Sequence, residues 1–103
     1  MTIRIALMRT GEYVISDMKE ASKGEKFVGY TFTNPQIVEM EDEKQLLSEE
    51  TGESSVSISM RPWFNLSSDE NYLIHPENII TIATPIKSIT DIYKEKIGES
   101  DDA

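Results

Sequence analysis

The chain has 103 residues, 38% apolar and 28% charged, with 19 acids against 10 bases for a net charge of −9. It holds no Cys and one His, which excludes a disulfide scaffold, a thiol nucleophile and any cysteine- or histidine-rich metal site. No apolar run reaches the ~18 residues of a membrane span, and the apolar core of Met1 to Arg9 is shorter than a signal peptide needs. A soluble, cytoplasmic, single-domain protein is therefore expected, with the domain over 1–98 and a disordered acidic tail over 99–103.

Ile3, Ile5 and Leu7 alternate with Arg4 and Ala6, the period of a half-buried strand. Thr10-Gly11 marks a turn, and Tyr13 to Met18 alternate again in a second strand over roughly 12–20. Ser22-Lys23-Gly24-Glu25 is a polar turn whose glycine accepts positive φ. Phe27 to Phe32 is dense in aromatic and β-branched residues and suits a pleated surface. Asn34-Pro35 interrupts it before Gln36 to Met40 resumes extended structure, so 27–40 reads either as one bent strand or as two. Glu41 to Ser55 carries no strand signal, although Leu46-Leu47 suits one helical turn.

Val56, Ile58 and Met60 alternate cleanly up to Pro62, which ends or edges the strand. After the polar loop Asn65 to Asn71 come a short strand, Tyr72 to His75, a turn at Pro76-Glu77-Asn78, and Ile79 to Ala83, apolar enough to be buried on both faces. Thr84-Pro85 reads as a helix start, with Ile86, Ile89, Tyr93 and Ile97 at helical spacing and Gly98 as the stop. Short strands followed by one helix predict a mainly β fold, a small twisted barrel with a C-terminal helix packed on it.

The charge is uneven. Residues 32–60 hold seven acids and one base, all of them in Glu39 to Glu53, while residues 1–31 hold five bases and four acids. This balance argues against binding double-stranded DNA, which needs many cation–phosphate contacts. Arg4, Arg9, Lys19, Lys23 and Lys26 would have to share a rim to make a basic face. Enzyme activity is not expected. His75 is the one candidate base, no Gly-x-Ser-x-Gly elbow presents a serine, and Lys23-Gly24-Glu25-Lys26 lacks the glycines of a phosphate loop. Glu41-Asp42-Glu43 lacks the spacing of a calcium loop, so no metal and no cofactor is expected. Arg61-Pro62-Trp63-Phe64 has the composition that stacks bases or anchors a protein interface; alternatively both rings close the core at a strand end.

The order of elements resembles the Sm-like (LSm) family: a strongly bent five-stranded, SH3-like barrel with three strands, a variable loop and two further strands. Gly29 within Phe27 to Phe32, the Asn34-Pro35-Gln36-Ile37 turn, the acidic run 41–55 as variable loop, and Ile74 to Ile80 carry the likeness. Thr10 to Ile15, Val28-Gly29-Tyr30, Arg61-Pro62-Trp63 and Ile80-Thr81-Ile82 are also similar to small proteins of marine cyanophages. The resemblance implies a homo-oligomeric ring that binds single-stranded RNA in RNA processing or regulation, with Asn34, Gln36, Arg61, His75 and Asn78 as its RNA contacts. The alternative is a ring that serves as a protein-interaction scaffold and has lost RNA binding. Edge strands with unpaired backbone groups point to a ring on physical grounds as well.

Overall fold

The computed structural model describes residues 1–42 and 56–98. Most of the acidic run, the Leu46-Leu47 turn and the tail 99–103 lie outside these residues. The described chain is mainly β, with strands β1 (Ile3–Met8), β2 (Tyr13–Lys23), β3 (Lys26–Asp42), β4 (Val56–Pro62), β5 (Asn71–Ile74) and β6 (Ile79–Ala83), and one helix, α1 (Lys87–Lys96). All pairings are antiparallel, in the order β4-β3-β2-β1-β6, with β5 also on β3.

The alternation pattern gives five or six strands and the resemblance a five-stranded barrel; among the described residues there are six, in an open sheet and not a closed barrel. The extra strand has a simple origin. Along one edge of β3, Tyr30 to Thr33 pair with β5 and Gln36 to Asp42 pair with β4. β4 and β5 thus follow one line, interrupted by the loop 63–70. A 3-10 turn over Pro76–Asn78 then carries the chain to β6 on the far edge of β1. That turn is tied back to the β1–β2 hairpin, because the Arg9 N–H donates to the Asn78 carbonyl at 2.8 Å.

Residues 27–40 form part of one strand, not two. β3 crosses Asn34-Pro35 through a bulge: Ile15 pairs with Gln36 and Asp17 with Thr33, so two steps along β2 match three along β3. Asn34 takes φ 53°, a left-handed conformation that Asn tolerates better than most residues. The extra residue swaps the faces of the strand. Tyr30 and Phe32 pack with Ala6, Met8, Val14, Met18 and Ile74 on one side, whereas Val38 packs with Ile15, Met60 and Tyr93 on the other.

The second face is covered by α1, through Ile89, Ile92 and Tyr93. The helix starts at Lys87, not at Thr84-Pro85. β6 stays paired with β1 as far as Ala83, opposite Ile5, and Thr84, preceding a proline, is biased to extended backbone. Ile86 therefore becomes the N-cap, its carbonyl accepting the Ile89 and Thr90 N–H groups. Gly98, at φ 77°, terminates the helix as its sequence position predicted. β6 is not buried on both faces: Ile79 and Ile82 are half-buried, but Ile80 is 61% exposed, as an edge strand covered from one side requires.

Candidate functional site

The bulge and the interrupted strand together build a recess. The loop 63–70 leaves and rejoins β3 at the bulge itself. The Trp63 N–H donates to the Pro35 carbonyl at 3.1 Å, and the Asn34 N–H donates to the Glu70 carbonyl at 2.8 Å. Between these two clamps the loop stands off the sheet around a space of about 300 Å3, lined by Asn34, Pro35, Gln36, Pro62, Phe64, Asn65, Ser67, Asp69 and Tyr72. Its aromatic wall is the Phe64–Tyr72 pair, with ring centroids 5.4 Å apart and planes at 31°. The Tyr72 hydroxyl donates to the Asp69 carbonyl at 2.6 Å, and the Asp69 N–H donates to the Ser67 hydroxyl at 3.0 Å. These bonds fix the loop's return. Gln36 is 7% exposed, and its Oε1 is buried without a hydrogen-bond partner among the described residues. Such an orphan is uncommon, since nearly all buried polar atoms are satisfied.

A second recess, about 190 Å3, lies at the seam where the sheet fails to close. Met8, Arg9, Thr10 and Glu12 of the β1–β2 hairpin face Trp63, Leu73, Ile74, His75 and Asn78. Three of its polar side chains are already engaged. Glu12 Oε1 accepts both the Trp63 indole N–H at 3.2 Å and the Thr10 hydroxyl at 3.0 Å. The Arg9 guanidinium donates through Nη1 to the Glu77 carbonyl at 3.1 Å. These bonds hold the indole against Phe32, 6.3 Å between centroids, so Trp63 closes the core as one of its two readings anticipated. Phe64 does not; it is 48% exposed.

The five residues singled out from the sequence thus fall in three places. Asn34 and Gln36 share the larger recess, and His75 and Asn78 the smaller one. Arg61 stands apart on β4, where its guanidinium donates to Glu39 through Nη2 at 2.8 Å and Nε at 3.3 Å. That hydrogen bond, and then the charge attraction, hold the Glu39 carboxyl below its ordinary value near 4.5 and raise the Arg61 guanidinium. The five amino-terminal cations share no rim: Arg9 sits by the β1–β2 turn, whereas Lys23 and Lys26 flank the other end of β2.

Asp69 and Tyr72 escaped the sequence reading as site residues, whereas Phe64 stood in the Arg61-Pro62-Trp63-Phe64 cluster. Asp69 and Tyr72 gave no signal, because the clamp that folds their loop back onto β3 depends on pairings between distant segments. Among the described residues no three of the His, Asp or Glu side chains gather as a metal site, and no helix is long and apolar enough to cross a membrane.

Fold and recesses together define a small antiparallel β-protein whose open sheet is buttressed by one helix. By sequence, the chain belongs to DUF6561, a family of unknown function, whose model matches residues 1–98. No curated protein matches the sequence.

Proposed function

We propose that this protein is an Sm-like protomer that assembles head to tail into a ring and serves as a protein-interaction scaffold. The observation that carries this reading is the pair of outer edges of the described sheet. Among the described residues β4 and β6 are the outermost strands of the sheet, and no described strand pairs on the far side of either, which makes the two edges a template for pairing with another chain. Pairing β4 of one copy with β6 of the next satisfies both edges at once. Repeated around an axis, such a heterologous contact closes a ring. The exposed Ile80 on β6 fits a strand that is covered in the assembly. The Sm-like reading is further supported by counting β4 and β5 as one interrupted strand, which leaves three strands, a long connection and two more.

Single-stranded RNA binding draws less support from the same geometry. The candidate contacts lie apart, Arg61 is engaged by Glu39, and no Lys or Arg lines the larger recess. Titration with oligouridylate at low salt, where cation–phosphate attraction is strongest, separates the two readings. The scaffold reading expects no binding; saturable binding would return the protein to the RNA class.

A further inference from the structure

The larger recess has a chemistry of its own. Its one formal charge is the Asp69 carboxylate, and no cation offsets it along the wall. Phe64 and Tyr72 offer ring faces, which attract cations through their quadrupoles. The amide of Asn34 forms no hydrogen bond among the described residues. Carboxylate, free amide and ring faces call for one kind of group: a flat cation rich in N–H donors. A guanidinium is that group, with five donors in a plane, no acceptor, and a weakly hydrated face that stacks on aromatic rings. A lysine ammonium lacks the plane. A phosphate would meet Asp69 with no cation to offset it. The net charge of −9 adds an attractive field for basic partners.

We propose that this recess is a docking site for an arginine side chain on a basic, extended segment of a partner protein. The site rests on the scaffold reading and names the chemistry of what the scaffold holds. The guanidinium stacks between Phe64 and the prolines and pairs with Asp69 at the mouth.

The test is a titration of the full chain by 15N NMR and calorimetry, with light scattering on the same sample. The probes are a capped pentapeptide of two arginines between glycines, its counterpart with neutral citrulline, and oligouridylate. The arginine peptide is expected to give saturable shifts at Asn34, Gln36, Phe64 and Tyr72, and the citrulline peptide to bind about ten-fold more weakly. Phe64→Ala and Asp69→Asn, both exposed changes, should each weaken the arginine peptide about five-fold. Equal binding of the two peptides, unchanged binding in both variants, or shifts of these residues by oligouridylate alone would overturn the proposal. An assembled particle that ignores the arginine peptide defeats this inference and leaves the ring; a monomer that binds it defeats the ring and leaves the recess.

Discussion

The Tyr93 hydroxyl lies 2.9 Å from the Asn34 carbonyl oxygen, across 59 residues of sequence. The same hydroxyl lies 3.0 Å from the Thr33 carbonyl and accepts the Asp17 N–H at 3.2 Å. At the bulge in β3, where Asp17 sits opposite Thr33, the Asp17 N–H is taken up by a side chain from α1. From the other face, the buried Ser16 hydroxyl donates to the Thr33 carbonyl at 2.8 Å. The break in β3 is therefore satisfied from both sides of the sheet.

Tyr93→Phe keeps the ring and removes the hydroxyl. It is expected to cost about 1–3 kcal/mol, the penalty of leaving a buried backbone donor unsatisfied. Tyr93→Ala, which also empties the space under α1, is expected to cost about 3–5 kcal/mol. Urea denaturation of the two variants checks the order; equal stability of Tyr93→Phe and the parent would remove the hydroxyl from this role.

Asn34 is tested by backbone demand. Asn34→Gly meets φ 53° freely and should leave stability within about 0.5 kcal/mol. Asn34→Val puts a β-branched residue in the left-handed region and should cost about 1–3 kcal/mol. The midpoints of thermal unfolding report the difference.

Gly29 makes a close approach. It sits at φ 150°, and a Cβ there would run into the Ile74 carbonyl of β5. Gly29→Ala is expected to destabilise by more than about 1 kcal/mol and to weaken the β3–β5 pairing first. Hydrogen exchange should quicken at Tyr72 and Ile74 more than at β1 and β2.

The Arg61–Glu39 pair is exposed, so Arg61→Ala should lower the urea midpoint only slightly at neutral pH. Its effect appears on titration. Because Arg61 depresses the folded Glu39 value, the pair contributes fully above the ordinary carboxylate value and is lost as pH falls through the lower folded one. The Glu39 carboxyl midpoint, followed by 13C NMR, should rise in Arg61→Ala.

Much of the fold was legible because it is local. Ile3 to Leu7 and Val56 to Met60 announce half-buried strands by alternation, and Gly24 and Gly98 mark a turn and a helix stop that the backbone adopts. What stayed hidden depends on distant partners. Asn34-Pro35 reads equally as a break or a bend until Tyr93 is known to bridge it. Ile79 to Ala83 reads as doubly buried because composition does not reveal which strand lies at an edge. Trp63 and Phe64 are adjacent and alike, yet one closes the core and the other borders a recess. Of the recess itself, Asn34 and Gln36 were found and Asp69 and Tyr72 were not, since the loop's return to β3 is a tertiary event.

The edge-pairing account turns on assembly, and Ile80→Lys probes it locally. A lysine on β6 is a common guard against edge pairing, so this variant should lower the mass of the particle without unfolding the protomer, as followed by circular dichroism.

The most direct measurement is the mass of the unmodified protein in solution at micromolar concentration, by light scattering and native mass spectrometry. Head-to-tail pairing of β4 with β6 predicts a single closed species at a whole-number multiple of 11.7 kDa. A monomer, or a series of open chains growing with concentration, would contradict it.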